Sequence, residues 1–318
     1  MLGSETCSIG ILPRPLLAKE LPAECCRWDA YPVPKTAPAP YNDNTQWGIV
    51  PSWGFGIALE SHISSLRPGA LLFGYWPTAS APVDLKLQAS EAHGQWAEVS
   101  KHREQVMPVY NQYHEKGYND LPKTVGLVDL PQDQLNHMAW VSLFGAIWQT
   151  GFLLNRHTFT STPETHVPIS PLGNKLPWTK DNADLSQTVL VSFSASGKTA
   201  RGFAWQVFTK RAGGSNPLAF LQVTQAPDTI RDVASRQARI SFGVFDYTQL
   251  EKTVDVAAEH KPQRIVVVDF GARGNATRRF LDALNENPEL KGIETTIVHV
   301  GGEQKVRYLL QPPQATKL

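Results

Sequence analysis

Cysteine is scarce in this sequence: there are three, Cys7, Cys25 and Cys26, all near the amino end. An odd, clustered count makes no disulfide framework, and vicinal cysteines rarely bridge. Reduced thiols in a cytoplasmic setting are therefore expected. Long apolar runs are missing as well. No stretch approaches the ~18 apolar residues of a spanning helix, and the longest, Met138 to Leu154, is broken by Ser142, Gln149, Thr150 and Gly151. The first residues lack a basic segment leading into an apolar one, so no secretory leader is expected. Neither sign of charge dominates: 30 Lys and Arg against 29 Asp and Glu leave a formal charge of +1. That balance gives no electrostatic reason for a nucleic acid or an anionic membrane as partner. Three motif classes are absent too: the G-x-S-x-G elbow of hydrolases, the G-x-G-x-x-G dinucleotide fingerprint, and any spaced Cys or His cluster fit for zinc.

What remains is an ordinary globular composition, 42% hydrophobic over 318 residues, enough for one large or two medium domains. Proline and glycine divide the chain into unlike halves. From Leu12 to Pro82 prolines recur every few residues, with strand-like runs Trp47–Val50, Phe55–Glu60 and Ala70–Tyr75 between them. Such runs predict a small irregular β structure, with Arg67-Pro68-Gly69 turning the chain into the third run. Residues Ser90 to Leu121 are polar and mixed, and are read as a helix plus surface loops. Apolar residues at helical spacing (Leu135, Met138, Ala139, Leu143, Ile147) predict a helix from Leu135 to Asn155. Arg156 to Asp184 shows no apolar period and reads as a long loop, the kind that is often mobile or functional; a lid over a site is one form it would take.

The second half alternates. Thr188–Phe193, Leu218–Thr224, Arg264–Phe270 and Thr295–Val300 read as strands. Thr199–Lys210, Asp228–Gln237 and Ala276–Asn285 read as helices. This alternation predicts a parallel sheet covered on both faces. The expected domains are 1–134 (β-rich), 135–184 (linking helix and loop) and 185–318 (α/β, nucleotide-binding).

In such sheets the first strand-to-helix turn usually cradles phosphate. Here it contains Ser194, Ser196, Gly197, Lys198 and Thr199: small residues allow close backbone approach, hydroxyls add donors and Lys198 adds a point charge. Gly-Lys-Thr also ends a P-loop, but the opening glycine of that motif would stand at Ser192, and only Asp269 offers a magnesium ligand. A tight turn that has lost its cofactor stays open beside both readings. The second strand ends in Thr224 with no acid to bond ribose hydroxyls, and Arg231 follows in the next helix. Absence of the acid together with a nearby Arg favours a 2′-phosphate, hence NADP, although an ordinary solvated Arg remains the alternative.

The segments SFSASGKTA, LAFLQVT, RIVVVDFGARGN and IVHVGG resemble the nucleotide-binding domain of zinc-independent, quinone-oxidoreductase-like medium-chain dehydrogenase/reductases. VPSWGFGIALES, PGALLFGYWPTAS, MPVYNQY and TGFLLN resemble an uncharacterised family of fungal and bacterial proteins of unknown function, a distant branch of that superfamily. The resemblance spans about Trp28 to Val300. It implies a Rossmann-like parallel-sheet domain, with Gly271 and Gly301 added to the cofactor-binding set, and a GroES-like β-rich domain. In related chains a longer amino-terminal part precedes the segment matching Trp28–Pro32, so a reduced GroES-like domain is expected here.

Without zinc, a reductase needs a hydride-delivering cofactor and one proton donor or carbonyl-orienting group. Tyr75, Tyr110 and Tyr113 are the candidate donors and Asn111 the orienting amide; core aromatics with satisfied hydroxyls are the competing reading. The expectation is an NADP(H)-dependent, zinc-independent reductase of an enone- or quinone-like hydrophobic substrate, with no metal. A homodimer is compatible with it. The alternative is a non-redox protein on the same scaffold with a vestigial nucleotide site, either a cyclase or isomerase of secondary metabolism or a binding protein.

Overall fold

The structure, a computed structural model, describes residues 11–13, 30–78, 82–115, 130–171, 177–211 and 213–301. The chain divides into two compact units, Met1–Ala146 and Ile147–Leu318. Among the described residues no helix is long and apolar enough to cross a membrane.

In the first unit β1 (Ile11–Pro13) pairs antiparallel with β2 (Trp47–Ile49). Strands β3 (Pro51–Ile57), β4 (Leu71–Pro77), β5 (Leu87–Ala89), β6 (Gln95–Glu98) and β7 (Gln112–Glu115) form an antiparallel sheet in the order β3-β4-β7-β6-β5. The turn into β4 closes with Ala70 N donating to Arg67 O at 3.1 Å, and Gly69 has φ 83°. Proline at the second position and glycine at the third are what that turn geometry demands. Glycine recurs within the sheet because rings lie across it. A Cβ at Gly74 would stand 2.2 Å from the Tyr113 ring, and one at Gly56 would stand 2.7 Å from Trp76.

The helix expected over 90–121 is not found up to Glu115. That stretch instead holds β6, two 3-10 turns (Lys101–Arg103 and Pro108–Asn111) and β7; residues 116–121 lie outside the described ones. Its polar composition hides a buried ion pair. Glu98 and Arg103 have side chains only 1% exposed, with Oε2 and Nε 3.4 Å apart. A buried pair survives only when its remaining donors and acceptors are met. Ser100 and Lys86 donate to Glu98, while Arg103 donates to Ala30 O and to the Tyr113 hydroxyl.

The division between units falls inside α1 (Gln132–Leu153), which ends in a π-helical turn, Leu154–Thr158. In the second unit α2 (Lys180–Ala183) precedes a repeated strand–helix alternation: β8 (Thr188–Phe193), α3 (Lys198–Lys210), β9 (Ala219–Val223), α4 (Pro227–Gln237), β10 (Ser241–Phe245), α5 (Leu250–Glu259), β11 (Arg264–Asp269), α6 (Ala276–Glu286) and β12 (Glu294–His299). All five strands are parallel, in the order β10-β9-β8-β11-β12. The predicted parallel sheet is observed, with β10 and α5 as elements the sequence reading omitted.

Side chains alternate between two cores. Val189, Val191, Phe193 and Leu221 face Val254, Ala257, Phe280 and Leu284 of α5 and α6. Leu190, Phe220, Val266 and Val268 face Phe203, Val207, Phe208 and Ile230 of α3 and α4. Burial on both faces explains why β8 and β11 read as unbroken β-branched runs.

The stretch from Arg156 to Asp184 is more ordered than its sequence suggests where it is described. Phe159 is fully buried, Trp178 Nε1 donates to Thr158 O at 2.7 Å, and Arg211 Nη1 donates to Phe159 O. Burial of this Arg211 guanidinium lowers its pKa to about 10, against the pull of Asp184.

Candidate functional site

The chain leaves the sheet order at one place. After β8, β9 and β10 it returns by α5 to β11 on the other side of β8. The loops after β8 and β11 therefore diverge at neighbouring strand ends, and such a divergence opens a crevice at the carboxyl edge.

Ser194 follows β8 with φ 54°, a left-handed conformation that turns the chain at once toward α3. Its amide donates to the Tyr247 hydroxyl at 3.0 Å, and its own hydroxyl donates to Gly271 O at 2.6 Å while lying 3.2 Å from Tyr247 Oη. Because Ser194 Oγ gives its proton to a carbonyl, the Tyr247 proton goes to Ser194 Oγ. The resulting chain of bonds runs from the loop after β10, through the loop after β8, to the loop after β11.

The next residues stay small. Ala195 is buried and its amide donates to Val223 O at 3.1 Å. Ser196 accepts from Thr224 Oγ1 at 2.8 Å, which joins the turn to the end of β9 and leaves the Ser196 proton for another acceptor. Gly197 is the N-cap of α3 and has no side chain to bond its first turn; the start of a helix offers N–H groups and the positive end of the helix dipole. Lys198 lies exposed at the first helical position and Thr199 is half-buried behind it.

On the β11 side Asp269 is 8% exposed at its side chain. Its carboxylate accepts from the amides of Gly271 and Ala272, at 2.8 and 2.6 Å, and from Thr277 Oγ1 at 2.9 Å. It thereby shapes a loop in which Gly271 has φ 118°. Val300 N and Gly301 N both donate to Asp269 O, and a Cβ on Gly301 would stand 3.1 Å from Phe270 O. Of the cofactor residues expected from sequence, Ser194, Ser196, Thr224, Asp269 and Gly271 are joined through these bonds. Arg231 is held by the Asp228 carboxylate and Val244 O at the outer strand.

Two residues of this edge escaped the sequence reading. Tyr247 is the strut just described. Arg273, in the loop after β11, donates through Nη1 to the Gln225 side chain at the end of β9. The fingerprint residues around RIVVVDFGARGN gave the only hint of Arg273; nothing in the spacing marks Tyr247.

In the first unit Tyr75 and Tyr110 come together, with ring centroids 4.5 Å apart, and Trp53 lies 5.4 Å from Tyr75 and 5.8 Å from Tyr110. Tyr75 is buried and Tyr110 half-buried. Tyr113 and Asn111 are tied to Arg103 instead. Tyr113 is fully buried; its hydroxyl donates to Tyr75 O at 2.8 Å and accepts from Arg103 Nη1 at 3.0 Å. Burial raises the Tyr113 phenol above its ordinary pKa despite the guanidinium. Tyr31, 2.8 Å from Tyr113 Oη, is raised by the same cause. Asn111 Nδ2 donates to Arg103 O at 3.2 Å.

Among the described residues no group of three His, Cys, Asp or Glu side chains is placed to hold a metal ion; the cysteines lie outside those residues. No curated protein matches the chain. A family match covers residues 24–316. The chain therefore belongs to the family described as "Protein of unknown function (DUF2855)".

Proposed function

We propose that the second unit binds NADP(H) at its carboxyl edge and that the protein is a zinc-independent reductase of an enone- or quinone-like, apolar carbonyl compound. One observation carries the reading: the order β10-β9-β8-β11-β12 corresponds, counting from β8, to 3-2-1-4-5, the order of a Rossmann sheet, with its switch point at the Ser194 and Gly271 loops. The link to medium-chain dehydrogenase/reductases, and a GroES-like reading of the antiparallel sheet, belong to the same proposal.

The residues fit the cofactor. The Ser194–Gly197 turn carries no bulky side chain, and the amides opening α3 supply donors for a pyrophosphate. Ser196 adds a hydroxyl proton and Lys198 a charge. The strand β9 ends in Thr224-Gln225 rather than an acid, and Arg273, steadied by Gln225, offers the guanidinium for a 2′-phosphate, a role the sequence assigned to Arg231. Bound there, NADPH would supply hydride. Tyr110, half-buried beside Tyr75 and Trp53, is the donor candidate in the first unit, whose aromatic surface suits a planar substrate. A P-loop reading fits less well. The turn is short, with Gly197 N bonded to Ser194 O at 2.8 Å, and Asp269 spends its oxygens on its own loop.

A second reading, binding without turnover, is favoured by that same use of Ser194 and Asp269 inside the loops. The two separate in one assay: NADPH consumption followed at the nicotinamide absorbance band against a panel of quinones and enones. Turnover that Tyr110→Phe slows supports the reductase. Saturable NADPH binding with no consumption across the panel supports binding without turnover, and no NADPH binding at all removes the reductase and leaves a vestigial nucleotide site.

A further inference from the structure

At the far end of α3 the second unit contains a cavity of about 410 Å³, within the ~300–1,000 Å³ range of small-molecule sites. Helix α3 runs from Lys198 to Lys210, about 18 Å, so this cavity is distinct from the carboxyl-edge crevice. Its walls include Phe152, Trp205, Arg156, Lys210, Gln206 and Asn155.

Three features of these walls select a ligand. Gln206 is 5% exposed, lines the cavity, and its amide bonds no other described residue, so both its donor and its acceptor are open to a ligand. Asn155 is 7% exposed and its Oδ1 accepts from Arg211 Nη1 at 3.0 Å. A guanidinium can only donate, so the end of the Asn155 amide left over is the donor, Nδ2. Arg156 Nη2 lies 2.6 Å from His166 Nε2, which must then accept. His166 Nδ1 carries the ring proton, with Thr165 Oγ1 at 2.8 Å. Arg156 is thus aimed by a neutral ring, and Lys210 Nζ lies 4.7 Å from the Trp205 ring centroid. Neither cation has a carboxylate partner among the described residues, and the cavity wall contains no acid. Two cations without a carboxylate partner, two amides and two aromatic rings suit an anionic head on a flat body.

We propose that this cavity binds a small organic anion with a carboxylate head and a planar apolar body. Arg156 and Lys210 take the carboxylate, the Gln206 and Asn155 amides complete its hydrogen bonds, and Phe152 and Trp205 cover the ring. Isothermal titration of the full chain with naphthoate and with naphthamide tests it. Naphthoate should bind saturably, and the neutral amide at least about tenfold more weakly, the worth of one charge-assisted contact. Arg156→Gln and Lys210→Met change side chains that project to solvent, so the fold is kept, as an unchanged melting temperature will verify. Each should weaken naphthoate about tenfold, while Lys198→Ala at the other end of α3 should leave it unchanged. The proposal is overturned by equal binding of naphthoate and naphthamide, by no saturable heat at millimolar naphthoate, or by parental affinity in both folded variants.

Discussion

Removing one oxygen from Tyr247 asks whether the carboxyl-edge loops hold themselves in place. In Tyr247→Phe the ring keeps its packing against Phe193, with centroids 6.2 Å apart, so no cavity forms. What goes is the acceptor of Ser194 N–H at 3.0 Å and the donor to Ser194 Oγ at 3.2 Å. Tyr247 is only 9% exposed, so water does not readily replace it. An orphaned buried amide costs about 1–3 kcal/mol, which lowers the melting temperature of a unit this size by roughly 2–4 °C per kcal/mol. Because both bonds end on Ser194, Ser194→Ala and Tyr247→Phe must not be independent. A double-mutant cycle by urea unfolding should give a coupling of about 0.5–3 kcal/mol. A Tyr247→Phe protein that melts with the parent, or two substitutions that add within ~0.3 kcal/mol, would refute the strut.

Other outcomes follow from single positions in both units. Arg103→Met strands the buried Glu98 carboxylate and should cost about 3–5 kcal/mol in denaturant unfolding, with part recovered by adding Glu98→Gln. Gly74→Ala puts a methyl 2.2 Å from the Tyr113 ring and should destabilise by about 1–3 kcal/mol or more. Gly213→Ala, with nothing within 4 Å of its Cβ, should stay within about 0.5 kcal/mol by the same melt. Burial holds the His114 imidazole below its ordinary 6.5, so its contribution is complete above that pH and is lost on acidification. Tyr113 is raised above 10.0, so its contribution is complete below that pH and is lost as pH climbs further; unfolding midpoints across pH check both ends.

The strands most legible in the sequence are those buried on both faces, the largely apolar runs of β8, β9 and β11, together with β12, which its β-branched run Thr295–Val298 marks although it is only half-buried. Strand β10 escaped because Ser241 and Gly243 interrupt a short stretch that is half-buried at the sheet edge. Helix α5 escaped with it. The Ser90–Glu115 segment was misjudged because its core includes Glu98 and Arg103, a charge pair that no hydrophobic period reveals. Arg156–Asp184 looked structureless because single residues, Phe159 and Trp178, anchor it rather than a pattern. At the site, the Ser194–Thr199 turn was legible because small residues after a strand are a local signal. The Tyr247 strut joins loops that are 53 residues apart in sequence, and only the fold brings them together.

The central claim, a dinucleotide held at the switch point of the parallel sheet, is tested most directly by titrating NADPH and NADH into the parent, Lys198→Ala and Arg273→Ala proteins with tryptophan fluorescence as readout. The account predicts saturable NADPH binding that Lys198→Ala weakens for both cofactors, by about ten- to hundredfold if one charge-assisted contact is lost. Arg273→Ala should weaken NADPH while leaving NADH nearly unchanged. No saturable response to either cofactor, or parental NADPH affinity in both variants at unchanged melting temperature, would contradict it.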